Sequence, residues 1–193
     1  PGRIEPLGRG RARTRLVFMC GVPTEVVQEV CLLHVTLIAL ALAGEPPQGD
    51  WEAGAGFDGM AASVRADVED HVSGVNMFKR PFARTALVRA TAPCAHVGIH
   101  NAANGLTITC DDRKVAVAPP SGDQVSYTGN DGKTLGLVHE IEADGAVVQT
   151  FISRRGERVN RFVPVGGGGL RMEVTITSGL LSDPLRYFVV YQP

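Results

Sequence analysis

Residues 135–153 read LGLVHEIEADGAVVQTFIS, two alternating stretches broken by Ala143-Asp144-Gly145. Leu135, Leu137, His139 and Ile141 share one side of the first stretch. Asp-Gly accepts the positive φ that a tight antiparallel turn requires. The stretch predicts a β-hairpin, 135–142 against 146–153.

The same grammar continues in both directions. Downstream, Arg155-Gly156 turns the chain into 157–163, Gly166 to Gly169 into 170–177, and Asp183-Pro184 precedes 185–192. On 170–177, Leu170, Met172, Val174 and Ile176 alternate with Arg171, Glu173, Thr175 and Thr177. On 185–192 either parity can face inward: Leu185, Tyr187, Val189 and Tyr191 compete with Phe188 and Val190. Upstream, 95–100 and 105–110 flank Asn101 to Asn104, followed by the short stretches 114–118 and 124–128. The expected fold is mainly β: an antiparallel up-and-down meander of eight or nine strands. It would close as a lipocalin-like barrel or a curled sheet, because closure removes exposed strand edges.

Before the meander the period changes. Met60, Val64, Val68, Val72 and Val75 recur at helical spacing and predict one amphipathic helix. Asp58 is its expected N-cap, and Pro81 should end or kink it near Arg80. Residues 44–57 are rich in Gly, Pro and Ala, hold the only tryptophan, Trp51, and read as a linker.

The N-terminal stretch reads as an address. Arg3, Arg9, Arg11, Arg13 and Arg15 precede an apolar run over 30–43 that ends Ala41-Leu42-Ala43 before Gly44-Glu45-Pro46-Pro47. The run is too short to span a bilayer, which needs about 20 residues. It suits a secretory signal cleaved after Ala43, and hence a periplasmic or secreted protein. Glu25 and Glu29 stand where a basic flank is usual, and the alternative is a buried N-terminal helix. The expected plan is therefore 1–43 extension and signal peptide, 44–57 linker, and 58–193 helix plus barrel.

Composition excludes several classes. With 193 residues, 44% hydrophobic and 20% charged, the chain can bury one core and is not wholly disordered. Its formal net charge of -1 lacks the basic excess of a nucleic-acid binder.

The order Gly49-Asp50-Trp51, then a helix ending Asn76-Met77-Phe78-Lys79-Arg80, resembles an uncharacterised family of exported bacterial lipocalin-like β-barrels. So do Gln149-Thr-Phe-Ile-Ser-Arg-Arg-Gly156, Met172-Glu-Val-Thr-Ile-Thr-Ser178, Pro184-Leu-Arg-Tyr187 and Tyr191. Gly-x-Trp also resembles the first-strand motif of lipocalins. The sequence departs from these in placing a helix after the triplet and ending on a strand. The resemblance implies the fold and a small apolar ligand, and no activity.

Cys94 and Cys110 are the cysteines beyond residue 43. Pairing Ile99 with Leu106 and Val97 with Ile108 puts Cys110 opposite Ala95, which argues against a simple bridge. A disulfide would need a bulge, or a bend at Pro93. His96, His100 and His139 could ligate zinc only if they converged, and nothing in their spacing says so. Ser153, Ser178 and Ser182 lie in no nucleophile elbow, and Gly166 to Gly169 lacks the Lys-Ser/Thr of a phosphate loop. No catalytic residue, metal or cofactor is expected.

What remains is binding. Phe151, Phe162, Met172, Tyr187 and Tyr191, with Phe188 as the opposite parity's candidate, are the bulky groups available to line a cavity. Tyr187, Tyr191 or His139 would orient a small hydrophobic or amphipathic ligand by a hydrogen bond. The Arg154-Arg155-Gly156-Glu157-Arg158 tip, with Arg161 behind it, is the densest positive patch. Through Arg154, Arg155 and Arg158 it could meet an anionic surface. The competing expectation is a side-chain-filled barrel that serves as an envelope structural or interaction module.

Overall fold

Ten antiparallel strands run in the spatial order β4-β3-β2-β1-β10-β9-β8-β7-β6-β5. The computed structural model describes residues 45–111 and 113–193; the expected signal and its cleavage site lie outside them. The strands are β1 Gly49–Ala53, β2 His96–Ala102, β3 Gly105–Cys110, β4 Ala116–Ala118, β5 Val125–Thr128, β6 Thr134–Ile141, β7 Val147–Ser153, β8 Gly156–Val165, β9 Gly169–Ser178 and β10 Leu185–Gln192. They form an up-and-down, nearly closed barrel. Two helices, α1 Phe57–Ser73 and α2 Arg80–Thr91, lie between β1 and β2.

β1 falls inside the stretch expected to be a linker. It joins the two arms of the meander, pairing Trp51 with Val97 of β2 and Ala53 with Tyr191 of β10. Its alternation is short but clear: Trp51 is buried while Asp50 and Glu52 face solvent. The Trp51 Nε1–H donates to the carbonyl of Gly168 at 2.9 Å, which ties the polar edge of the ring to the β8–β9 turn.

The barrel has one seam, because no ladder joins β4 to β5. Across it Ser121 bridges Glu140, and the Gly122 N–H donates to the His139 carbonyl at 3.0 Å. Ala116 and Ala118 pack there on Leu137, Val125, Tyr127 and Phe151.

The helical expectation holds for the stripe Val64, Val68 and Val72, all buried. Val68 and Val72 join the barrel core, and burying each is worth roughly 1.5–3 kcal/mol. Three details differ. The N-cap position is Gly56 (φ 95°), not Asp58, which lies in the first turn. The helix ends at Ser73, where Gly74 follows and Arg80 reaches back to the Ser73 carbonyl at 2.7 Å. Pro81 starts a second helix rather than stopping the first, since a first-turn residue needs no N–H partner. α2 buries Ala83, Leu87 and Thr91 at a spacing of four.

The Cys94–Cys110 disulfide forms, with Cα atoms 5.4 Å apart. The β2–β3 register is two residues from the expected one: Ile99 faces Ile108 and Val97 faces Cys110. Asp111, at φ 46°, follows the end of β3, and its Oδ1 accepts from the N–H groups of Ala95 (2.9 Å) and His96 (2.7 Å). These bonds hold the chain just after Cys94 against the end of β3, where Cys110 lies. On β10 the odd parity faces inward: Leu185, Val189 and Tyr191 are buried, and Phe188 and Val190 are exposed.

Candidate functional site

Strand alternation builds the interior. Phe162 of β8 is buried, so Asn160 and Arg158, two and four residues earlier, point to the same face. Register then sets His139, Gln149 and Asn160 side by side on β6, β7 and β8, with Leu137, Phe151 and Arg158 in the next row.

The polar row is fully paired. Arg158 Nε donates to Asn160 Oδ1 (2.8 Å), and Asn160 Nδ2 to Gln149 Oε1 (2.8 Å). Gln149 Nε2 meets His139 Nε2 at 3.2 Å, and His139 Nδ1 meets the Leu106 carbonyl at 3.1 Å. A guanidinium only donates and a carbonyl only accepts, so every bond runs from Arg158 towards Leu106. His139 is therefore neutral, with its proton on Nδ1. Burial holds the imidazole below its ordinary pKa, partly offset by the carbonyls of Leu106 and Ala118.

The other end of the row meets the C-terminus of α2, whose last carbonyls lack helical partners. Arg158 Nη1 donates to the Ala90 carbonyl (2.6 Å), the Tyr187 hydroxyl to Thr91 (2.8 Å), Arg113 Nη2 to Ala92 (2.8 Å) and the Tyr191 hydroxyl to Cys94 (3.1 Å). Burial raises the pKa of both tyrosines, so both donate as neutral phenols. It also lowers that of Arg158, the cost of desolvating a cation.

A cavity of about 50 Å³ opens beside this cluster, lined by Arg113, Arg158, Tyr127, Phe151, Phe162 and Met172 among others. By the volume one water needs, it has room for about three or four non-hydrogen atoms. Among the described residues no carboxylate pairs with Arg158 or Arg113; their partners are neutral oxygens. The end of a helix supplies only about half a negative charge. Two guanidiniums face the cavity from this side, while the Asp111 carboxylate lies near the Cys94–Cys110 end of the lining.

Among solved structures, the chain is similar to the REP1-NXSQ fatty acid transporter, with a TM-score of 0.42 and 16% identity over 75% of this chain and 93% of that one. It is similar to a Schistosoma mansoni fatty acid binding protein in complex with arachidonic acid, at 0.44 and 17% over 75% and 93%. A luciferase domain from the dinoflagellate Lingulodinium polyedrum gives 0.44 and 18% over 76% and 44%. No protein-family model and no curated protein matches the sequence.

The residues expected from sequence divide in two. Phe151, Phe162 and Met172 line the cavity. Tyr187, Tyr191 and His139 point inward, but their polar atoms are already committed to Thr91, Cys94, Leu106 and Gln149. Phe188 stands outside. The expected positive patch is corrected: Arg158 turns into the barrel, and Arg161 pairs with Glu142 (2.7 Å), Glu173 (3.4 Å) and Asp144. Arg154 and Arg155 remain exposed. Of the histidines, His100 meets Asp50 at 3.0 Å and His96 lies between Glu52 and Asp111, all remote in role from buried His139. Sequence reasoning missed Arg113, Arg158, Gln149 and Asn160 as interior groups. Shared parity with Phe162 was the available signal for two of them.

Proposed function

We propose that the protein is a non-enzymatic binding barrel that takes up a small amphipathic molecule with an acidic head group, and that it works outside the cytoplasm. The observation that carries this reading is the pair Arg158 and Arg113 on one cavity wall with no described carboxylate between them. A carboxylate has the size of the cavity and would accept from both guanidiniums. The apolar body would run past Phe151 and Met172 and leave beside Tyr127, at the seam where no ladder has to break. The Cys94–Cys110 bridge suits an oxidising compartment, in keeping with the apolar run that ends at Ala43.

A second reading, the filled barrel acting as an interaction module, is favoured by the cavity's volume. At about 50 Å³ it is far below the roughly 300–1,000 Å³ of a drug-sized site. Displacement of anilinonaphthalene sulfonate by laurate and by methyl laurate separates the two. The binding reading expects laurate to compete about tenfold better than its ester, as the loss of one charge-assisted hydrogen bond requires. Equal competition removes the acid head from the reading. A barrel that takes neither dye nor laurate leaves the filled-barrel module.

A further inference from the structure

The corner between α1 and α2 exposes large apolar groups that the fold does not need. Met77 is 68% exposed, Phe78 81% and Phe82 76%. The corner is stiff: Asn76 accepts from the Phe78 N–H (3.0 Å) and the Lys79 N–H (2.9 Å), and Pro81 fixes the first turn of α2. These side chains are therefore held outward, and nothing among the described residues covers them.

A cleft of about 760 Å³ separates this corner from the tips of the β7–β8 and β9–β10 hairpins. Lys79 and Phe82 line one side, Arg154, Arg155 and Leu180 the other, and among the described residues no carboxylate lines it. The two tips are tied together, since the Arg155 carbonyl accepts from Ser178 Oγ (3.1 Å) and the Gly179 N–H (3.3 Å). Among the described residues none of the three cations has a side-chain ion pair, whereas Arg84 is taken by Glu69 and Arg161 by Glu142, Asp144 and Glu173. Glu157, the acid next in sequence to Arg155, is exposed and is not among the residues that line the cleft.

We propose that this corner and cleft dock the protein on a bilayer surface rich in anionic phospholipid. Phe78, Phe82 and Met77 enter the interfacial zone, where aromatic rings and thioethers leave water without leaving the head groups. Lys79, Arg154 and Arg155 then face lipid phosphates. Side chains that stand this far clear of the surface fit a deformable lipid layer better than a preformed protein groove. The surface is separate from the cavity beneath α2, so it stands or falls independently of the binding reading.

The test is co-sedimentation of the full chain with vesicles of phosphatidylcholine alone and with about one-third phosphatidylserine. Each basic residue near an anionic membrane is worth about fivefold in partitioning, so Lys79→Glu/Arg154→Glu/Arg155→Glu should lower binding to the mixed vesicles about a hundredfold or more. Phe78→Ala/Phe82→Ala should lower it about tenfold or more at unchanged charge. All substituted positions are exposed, and an unchanged circular dichroism melt confirms that the variants fold. The arginines and apolar run of residues 1–43 are the same in every variant, so only a loss on substitution counts for the proposal. Equal sedimentation of wild type and both variants overturns it. So does retention on immobilised polyglutamate without vesicle binding, which would assign the cleft to an acidic protein partner.

Discussion

Arg158 and Ala90 lie 68 residues apart in sequence, yet the Arg158 guanidinium closes the end of α2 by donating to the Ala90 carbonyl at 2.6 Å. A wall residue of the barrel thus serves as the cap of the helix above it, and the same side chain starts the row that ends at Leu106. Sheet, helix and cavity are coupled through one cation.

Arg158→Met tests that coupling. It leaves the Ala90 carbonyl and Asn160 Oδ1 without their donor, and each buried unsatisfied group costs about 1–3 kcal/mol. The expected loss of stability is at least about 2 kcal/mol in urea denaturation, together with loss of laurate competition. Arg158→Lys keeps a charge and should retain part of the competition while losing the two-directional hydrogen bonding. A methionine variant as stable as wild type, binding laurate as well, would show that the guanidinium holds neither helix nor ligand.

The meander was legible because its signals are local. Asp144-Gly145 and Arg155-Gly156 each mark a turn, and the alternation from Leu170 to Thr177 fixes a face without reference to the rest of the chain. The stripe Val64, Val68, Val72 is equally self-contained. β1 was not legible, since Gly49–Ala53 offers one large apolar side chain and its pairing depends on strands far along the chain. α2 was hidden because Pro81 marks a helix start as well as it marks a stop. Arg158 was placed outside on its charge, although its parity with Phe162 put it inside; composition outweighed period in that reading. The disulfide goes with a β2–β3 register two residues from the expected one and with the turn at Asp111, and one left-handed residue is invisible to an alternation pattern.

The Cys94–Cys110 bridge spans 16 residues of sequence, and closing a loop of that size removes about 3 kcal/mol of freedom from the unfolded chain. Cys94→Ser/Cys110→Ser should therefore unfold at lower urea, by about 2–3 kcal/mol, while keeping the barrel's far-ultraviolet dichroism. A loss within about 0.5 kcal/mol would mean that the β2–β3 ladder already constrains the unfolded chain.

Gly105 opens β3 at φ 135°, and a Cβ there would collide with the carbonyl oxygen of Ala118 on β4. Gly105→Ala combines a disallowed backbone with a backbone clash, so about 1–3 kcal/mol should be lost. Gly166→Ala is the control: nothing lies within 4 Å of its Cβ and its φ needs no glycine. That variant should stay within about 0.5 kcal/mol of wild type. Equal denaturation midpoints for the two would mean that β4 gives way at the seam.

His139 gives the pH dependence its sign. An unfolded chain binds the histidine proton at about pH 6.5, whereas burial holds the folded imidazole below that value. Above about pH 6.5 neither state is protonated and the group has no effect on the balance. As pH falls below it, the unfolded chain gains a proton that the folded barrel refuses, so stability drops until the folded pKa is reached. The slope can reach at most about 1.4 kcal/mol per pH unit. Protonation of Nε2 would also end its acceptance of the Gln149 amide, which ties the loss to the row itself. His139→Gln can keep a donor towards Leu106 and an acceptor towards Gln149 without titrating. The difference between wild-type and variant stability, measured by urea denaturation from about pH 7 to about pH 5, should therefore slope downward with acid. A flat difference would mean that the folded imidazole takes its proton as readily as the unfolded one, and that the Arg158-to-Leu106 row does not hold His139 neutral.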